Sequence, residues 1–174
     1  RGTSKETGAM IMSKTADSLV TAFSPSANIN LVFAEVTDSA RELERSHLCG
    51  PTAGLIQAEA LAAVALLGAE LSQPEETVTL RMRVSGPVGG LLVEAGADGS
   101  LRGYTHVKVM NELDECEELD LSCALGDQGE IQIIRSLPGK ILASGMAAVS
   151  PASVIKGLEQ YLSLIHISEP TRPY

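Results

Sequence analysis

From Thr77 to Val84 apolar and polar residues alternate strictly, with Val78, Leu80, Met82 and Val84 on one side and Thr77, Thr79, Arg81 and Arg83 on the other. Successive side chains of an extended chain point to opposite faces, so this period of two predicts a half-buried antiparallel strand. Gly86-Pro87 then turns into Val88 to Ala95, and Asp98-Gly99 into Ser100 to Met110, which predicts a three-stranded meander. Leu121 to Leu125 and Glu130 to Ser136 flank Gly126-Asp127-Gln128-Gly129, and Pro138-Gly139 leads into Ile141 to Ala148, so a second meander is expected. A different period governs the stretch after Gly50-Pro51, where Leu55, Ile56, Ala60, Leu61, Val64, Leu67 and Leu71 recur at three and four. That spacing, with proline at the first helical position, predicts a helix ended by Ser72-Gln73-Pro74. Its alanines permit close backbone approach, so Leu55 to Leu71 is expected to lie buried against a sheet.

The flanking segments are patterned less sharply. Asn28 to Val36 places Ile29, Leu31, Phe33 and Glu35 on one face and Val32, Ala34 and Val36 on the other, which suits a strand covered on both sides. Ser39-Ala40-Arg41-Glu42 fits a capping box opening a short helix toward His47. Ser150-Pro151 reads as a cap followed by proline at the first helical position, with Val154, Ile155, Leu158 and Tyr161 as the apolar stripe. The order of strand, helices, strands and helix predicts an α+β fold of antiparallel β-meanders packed with a buried Ala-rich helix and further helices. Residues 1–18 are polar, with Met10 and Met12 as plausible starts, and are expected to form a non-native or disordered leader outside the fold. Leu162 to Arg172 is similar to one translated frame of a transposon-end adapter used in sequencing libraries, so 162–174 is expected to be an adapter-derived tail and 19–161 the folded unit.

Composition narrows the function. The 174 residues are 44% hydrophobic and 20% charged, a balance that suits one folded domain and argues against wholesale disorder. Thirteen Lys and Arg against 22 Asp and Glu leave a net charge of −9, which repels phosphate backbones and anionic lipid, so neither nucleic acid nor membrane is an expected partner. Aromatic residues are only 3%, with no Trp, so the core must be aliphatic and base-stacking platforms are scarce. The apolar stretch Ala53 to Leu71 is interrupted by Gln57, Glu59 and Glu70, which favours a buried helix over a membrane span. Cys49, Cys116 and Cys123 form no Cys-x-x-Cys, so neither a disulfide framework nor a zinc site can be read from them, and a reducing cytoplasm is the expected location.

Each candidate for chemistry has a plainer explanation. His47 and Cys49 stand just before a helix whose N-terminus would lower a thiol pKa, making Cys49 a candidate nucleophile; the alternative is an inert, small apolar residue at a helix entry. His106 sits among polar neighbours with no carboxylate at a triad-like spacing, which fits a surface histidine. The acidic run Glu112, Asp114, Glu115, Glu117, Glu118 and Asp120 lacks the Asp-x-Asp-x-Asp-Gly spacing of a calcium loop and fits a solvated connection. Gly86, Gly89, Gly90, Gly96, Gly99 and Gly103 form no phosphate loop opening a helix, and hairpin turns and bulges account for them. No catalytic, cofactor-binding or metal-ligating residue is therefore expected.

Resemblance carries the reading further. Leu48-Cys49-Gly50-Pro51-Thr52-Ala53 with its Ala/Leu helix through Ala65-Leu66-Leu67, then Thr79-Leu80, Gly86-Pro87 and Gly99-Ser100-Leu101-Arg102-Gly103-Tyr104, resembles the N-terminal domain of the thirty-three-kilodalton heat-shock protein family. Leu158-Glu159-Gln160-Tyr161 continues the likeness, which covers Leu19 to Tyr161. The resemblance implies a truncated chaperone domain from a redox-regulated, ATP-independent holdase. Such proteins bind unfolding proteins through apolar surface exposed when a cysteine-rich C-terminal segment loses its zinc and forms disulfides. Four thiolates holding zinc couple metal release to local unfolding. The family's Cys-x-Cys and Cys-x-x-Cys pairs match none of Cys49, Cys116 and Cys123, so no zinc ligand carries over and no cofactor is expected in this chain. The implied partners are unfolded or partly unfolded proteins, with a homodimer left open. Two other readings compete: a small hydrolase or transferase using Cys49 with His47, and a non-enzymatic interaction module.

Overall fold

The computed structural model describes residues 16–168. In chain order the elements are β1 (Ser18–Ser24), β2 (Ile29–Glu35), α1 (Thr37–His47), α2 (Pro51–Gly68), β3 (Thr77–Val84), β4 (Gly90–Gly96), β5 (Leu101–Thr105), α3 (Asn111–Asp114), α4 (Leu121–Leu125), β6 (Gly129–Leu137), β7 (Lys140–Val149) and α5 (Val154–Ser168). The class is α+β, with every strand pair antiparallel.

The strictly alternating segment becomes the organising strand. β3 lies in the middle of a five-stranded sheet ordered β5-β4-β3-β6-β7, with Leu80 opposite Val93 on one side and Ile133 on the other. Val78, Leu80 and Met82 point inward with Leu91, Val93, Ile131 and Ile133, and α2 covers this layer with Ile56, Ala60, Leu61 and Val64. Each such side chain contributes about 1.5–3 kcal/mol by leaving water. α2 is long and apolar enough to cross a membrane by length and composition, and half of it is buried inside this core. Close approach is built in, since a Cβ at Gly68 would lie 3.1 Å from the Ala95 side chain.

Several boundaries differ from those expected. The two meanders are one sheet, because β6 pairs along β3. Leu121–Leu125 is a helical turn, not a strand: the Asp120 carboxylate accepts the Ser122 N–H at 2.9 Å, and this local cap outcompetes extended pairing. The strand expected over Ser100 to Met110 stops at Thr105. α2 ends at Gly68, and Leu55 remains 45% exposed, so the helix is buried over most of its length and not at its outer edge. α1 opens at Thr37 rather than through a Ser39–Glu42 capping box. Its free N–H groups are met from a distance, as the two carboxylate oxygens of Asp17 accept from Asp38 at 2.7 Å and Ser39 at 2.8 Å. Asp17 and Ser18, placed in the leader by the sequence, therefore take part in the fold, while residues 1–15 lie outside the described residues. At the other end the Ser150–Pro151 bond is cis, and α5 begins only at Val154, after the Ser153 hydroxyl accepts the Lys156 N–H at 3.3 Å. α5 runs across residue 162 to Ser168, and the rest of the expected tail lies outside the described residues.

Candidate functional site

The remaining strands, β1 and β2, form a separate two-stranded hairpin running from the Ser18–Glu35 pair to the Ser24–Ile29 pair. Its turn is closed by Asn28 at φ 51°, a left-handed conformation that asparagine tolerates. The register puts Val20 opposite Phe33 and Ala22 opposite Leu31, so one face carries Val20, Ala22, Ile29, Leu31 and Phe33. The other carries Leu19, Phe23, Val32 and Ala34. The strand expected to be covered on both sides is not: Leu31 is 64% and Phe33 62% exposed, and Phe23 on the neighbouring β1 is 59% exposed. A continuous apolar run signals burial only when layers lie against both faces, and here α2 is the helix that packs against β2. On that inner side a cleft of about 250 Å³ opens between Leu19, Ala34, Ala65, Gly68, Ala95 and Leu101.

This hairpin holds both phenylalanines of the chain. Phe23 and Phe33 are 59% and 62% exposed and, by the register, lie on opposite faces, so each face of the hairpin presents a large apolar side chain to water.

The residues singled out for chemistry are explained by structure. Cys49 sits partly buried with its Sγ 3.6 Å from Gln57 Oε1, and Gln57 Nε2 donates to the Gly103 carbonyl at 3.2 Å. Burial pushes the thiol pKa up, with Glu44 adding to the rise, and the opposing influence of Thr105 and Lys108 does not reverse it, so Cys49 stays protonated. The helix N-terminus that would have activated it is already occupied. Asp114 of α3 accepts the Thr52 N–H at 3.0 Å and the Met110 N–H at 2.8 Å. A Cβ at Gly50 would lie 2.1 Å from that carboxylate, so only glycine there lets Asp114 reach the helix end. Burial acts to raise the Asp114 pKa, and the hydrogen bonds from Thr52 and Met110 outweigh it and hold the carboxyl below the usual range. The buried Nδ1 of His47 has no hydrogen-bond partner among the described residues. His106 stacks against Tyr104 with ring centroids 6.0 Å apart.

The acidic run thus divides into caps and surface: Asp114 serves α2, Asp120 serves α4, and Glu112, Glu115, Glu117 and Glu118 are exposed. Among the described residues no group of three or more His, Cys, Asp or Glu converges on a point. Cys116 and Cys123 are exposed while Cys49 is bonded into the Gln57 cluster, an arrangement that does not fit a thiolate zinc site. The Arg102-Gly103-Tyr104 motif is likewise structural. Gly103 allows β5 to pass within 2.5 Å, measured from an ideal Cβ, of the Val93 side chain, and Arg102 pairs with Glu94.

Sequence reasoning missed the Asp114 cap and the open hairpin. A signal for the first exists, because Gly50-Pro51 starts a helix without a capping side chain of its own, and such an end needs an acceptor from elsewhere.

Known proteins resemble this chain in sequence and fold. The family model described as Hsp33 protein matches residues 17–164. The 33 kDa chaperonin of Geobacillus kaustophilus (strain HTA426) is 35% identical over 122 residues, 70% of this chain and 41% of that protein. That of Thermus thermophilus is 36% identical over 138 residues, 78% of this chain and 40% of its own length. The crystal structure of a 33 kDa chaperonin from Thermotoga maritima has the same fold, with a TM-score of 0.66 at 20% identity over 86% of this chain and 50% of that one. The chain spans half or less of the length of these relatives. With the family pattern matched over residues 17–164, this chain belongs to the Hsp33 protein family.

Proposed function

We propose that this chain is the client-holding part of a chaperone that binds unfolding proteins without ATP, through the apolar β1–β2 hairpin. The observation that carries the reading is the placement of Val20, Leu31 and Phe33 on one exposed face of that hairpin, with Phe23 exposed on the other. Apolar surface in water costs about 25 cal/mol per Å², and covering it with the apolar segments of an unfolding protein recovers that energy without specific contacts. The relatives that share the family are named 33 kDa chaperonins, in keeping with this role. A non-enzymatic role fits a Cys49 whose thiol pKa is pushed up by burial and whose Sγ lies against Gln57, and the net charge of −9 disfavours nucleic acid as a partner.

Zinc and its redox control belong, on this reading, to a cysteine-rich segment that Cys49, Cys116 and Cys123 do not supply. When bound in such a segment, zinc ties thiol oxidation to unfolding. The test of the main reading is light scattering from a thermally unfolding client, without nucleotide, in the presence of increasing amounts of the chain. Suppression near stoichiometric ratio is expected; unchanged scattering at several-fold excess contradicts the proposal.

A further inference from the structure

The base of the β1–β2 hairpin and the start of α1 are tied together by two carboxylates. α1 has no capping side chain at its own N-cap, Val36, and its first internal bond runs from the Ala40 N–H to the Val36 carbonyl at 2.9 Å. The three N–H groups before it, on Thr37, Asp38 and Ser39, therefore need acceptors from outside the helix ladder. The hairpin base supplies all three. The register pairs Ser18 with Glu35 there, so Asp17 and Glu35 stand at the ends of the two neighbouring strands. Asp17 uses both oxygens, Oδ1 accepting from Asp38 at 2.7 Å and Oδ2 from Ser39 at 2.8 Å. Glu35 uses one, its Oε1 accepting the Thr37 N–H at 3.1 Å and the Thr37 hydroxyl as well. Burial acts to raise the Asp17 pKa, and the hydrogen bonds from Ser39 and Asp38 outweigh it, so the carboxylate stays charged where the helix dipole favours a negative group.

A Ser, Thr, Asp or Asn at the N-cap would satisfy the helix from its own sequence. Drawing the acceptors from both strands of the hairpin instead fixes the hairpin base against α1, and Val36, the residue between them, packs against the core. Further out, less holds the hairpin at its angle. α2 packs against β2, yet the cleft of about 250 Å³ separates Leu19 and Ala34 from a wall built mostly of Ala65, Gly68, Ala95 and Gly96. Such short side chains cannot interdigitate with the hairpin, and interdigitation is what gives a packed contact a single geometry. Orientation then falls to the hydrogen bonds at the base. The apolar surfaces across the cleft also attract each other. A hairpin that settled onto the body would cover Leu19 and the face it shares with Phe23.

We propose that Asp17 and Glu35 are positioning residues for client holding: they clasp the hairpin base to the N-terminus of α1 and keep the hairpin standing off the body with both apolar faces open. The inference rests on the holdase reading, and neither carboxylate touches the client.

The test is client light scattering without nucleotide, at a temperature below the unfolding midpoint of every variant. Without the clasp the standing orientation becomes one of several, so Asp17→Ala is expected to need roughly threefold more chain for half-suppression. Asp114→Ala strips the corresponding acceptor from α2 and leaves the hairpin alone, so it is expected to hold clients as wild type does. That control separates loss of a helix cap from loss of the clasp. The oxygens in use give a second discriminator. Glu35→Gln keeps the single acceptor and is expected to hold clients normally where Glu35→Ala does not, whereas Asp17→Asn turns one of two acceptors into a donor facing an N–H and is expected to fail with Asp17→Ala. Undiminished holding by Asp17→Ala overturns the proposal, as does an equal loss in Asp114→Ala or in Glu35→Gln. Absent suppression by wild type refutes the holdase reading, and amide hydrogen exchange then decides the clasp. Asp17→Ala must speed exchange at Asp38 and Ser39 while leaving the β3–β6 ladder unchanged; unchanged exchange at those two amides overturns it.

Discussion

Leu80 and Phe33 occupy the middles of two strands and meet opposite fates. Leu80 lies sealed between Val93 and Ile133 with α2 above, and Phe33 stands in water beside Val20. Both strands are apolar, so hydrophobicity alone does not decide burial. What differs is the company. β3 has a strand on each side and a helix over its inner face, whereas the hairpin is a separate two-stranded sheet that α2 packs against. A two-stranded hairpin is marginal in isolation, so its apolar residues do little for the fold and remain available for contact.

That comparison makes the sheet the region where substitution hurts stability most. Ile133→Ala is expected to cost about 2–5 kcal/mol, the usual loss for a truncated core aliphatic, read as a shift of the urea unfolding midpoint. A change below a few tenths would mean that α2 does not press on the sheet as described. Next comes the cap between the acidic connection and α2. Asp114→Ala is expected to cost about 1–2 kcal/mol, since it strips the acceptor from the helix N-terminus. Because the folded Asp114 pKa is depressed, its contribution is present above the ordinary carboxylate value of about 4 and is lost as pH falls through the folded value. The variant should therefore show a shallower loss of stability on acidification than wild type, and parallel acid limbs would contradict the cap. Smallest is the hairpin. Phe33→Ser is expected to move stability by no more than about 0.5 kcal/mol, as surface changes do; a loss comparable to that of Ile133→Ala would place the hairpin in the core.

The sheet was legible because its rows alternate: Val78, Leu80 and Met82 announce both strand and inward face, and the three-and-four spacing from Leu55 announces α2. The family followed from the residues around Gly50 and Gly103, where a Cβ would run into the Asp114 carboxylate and into β4 respectively. The hairpin was half legible. Ile29 to Val36 reads as a strand, but whether its faces are covered depends on layers that no local pattern encodes. Non-local contacts were likewise hidden: Asp17 capping α1 and Asp114 capping α2 bridge separations of 21 or more residues that spacing rules do not reach. At Leu121–Leu125 the apolar run favoured a strand, and the single Asp120 cap tipped it into a helical turn.

The central claim is that the hairpin face does the holding. It is tested most directly by comparing wild type with the Val20→Ser, Leu31→Ser and Phe33→Ser triple variant in the client-scattering measurement, at matched concentration and below the unfolding midpoint of both. The account predicts that the variant folds, with an unfolding midpoint near that of wild type, and loses most of the suppression. A folded variant that suppresses client scattering as well as wild type would contradict it.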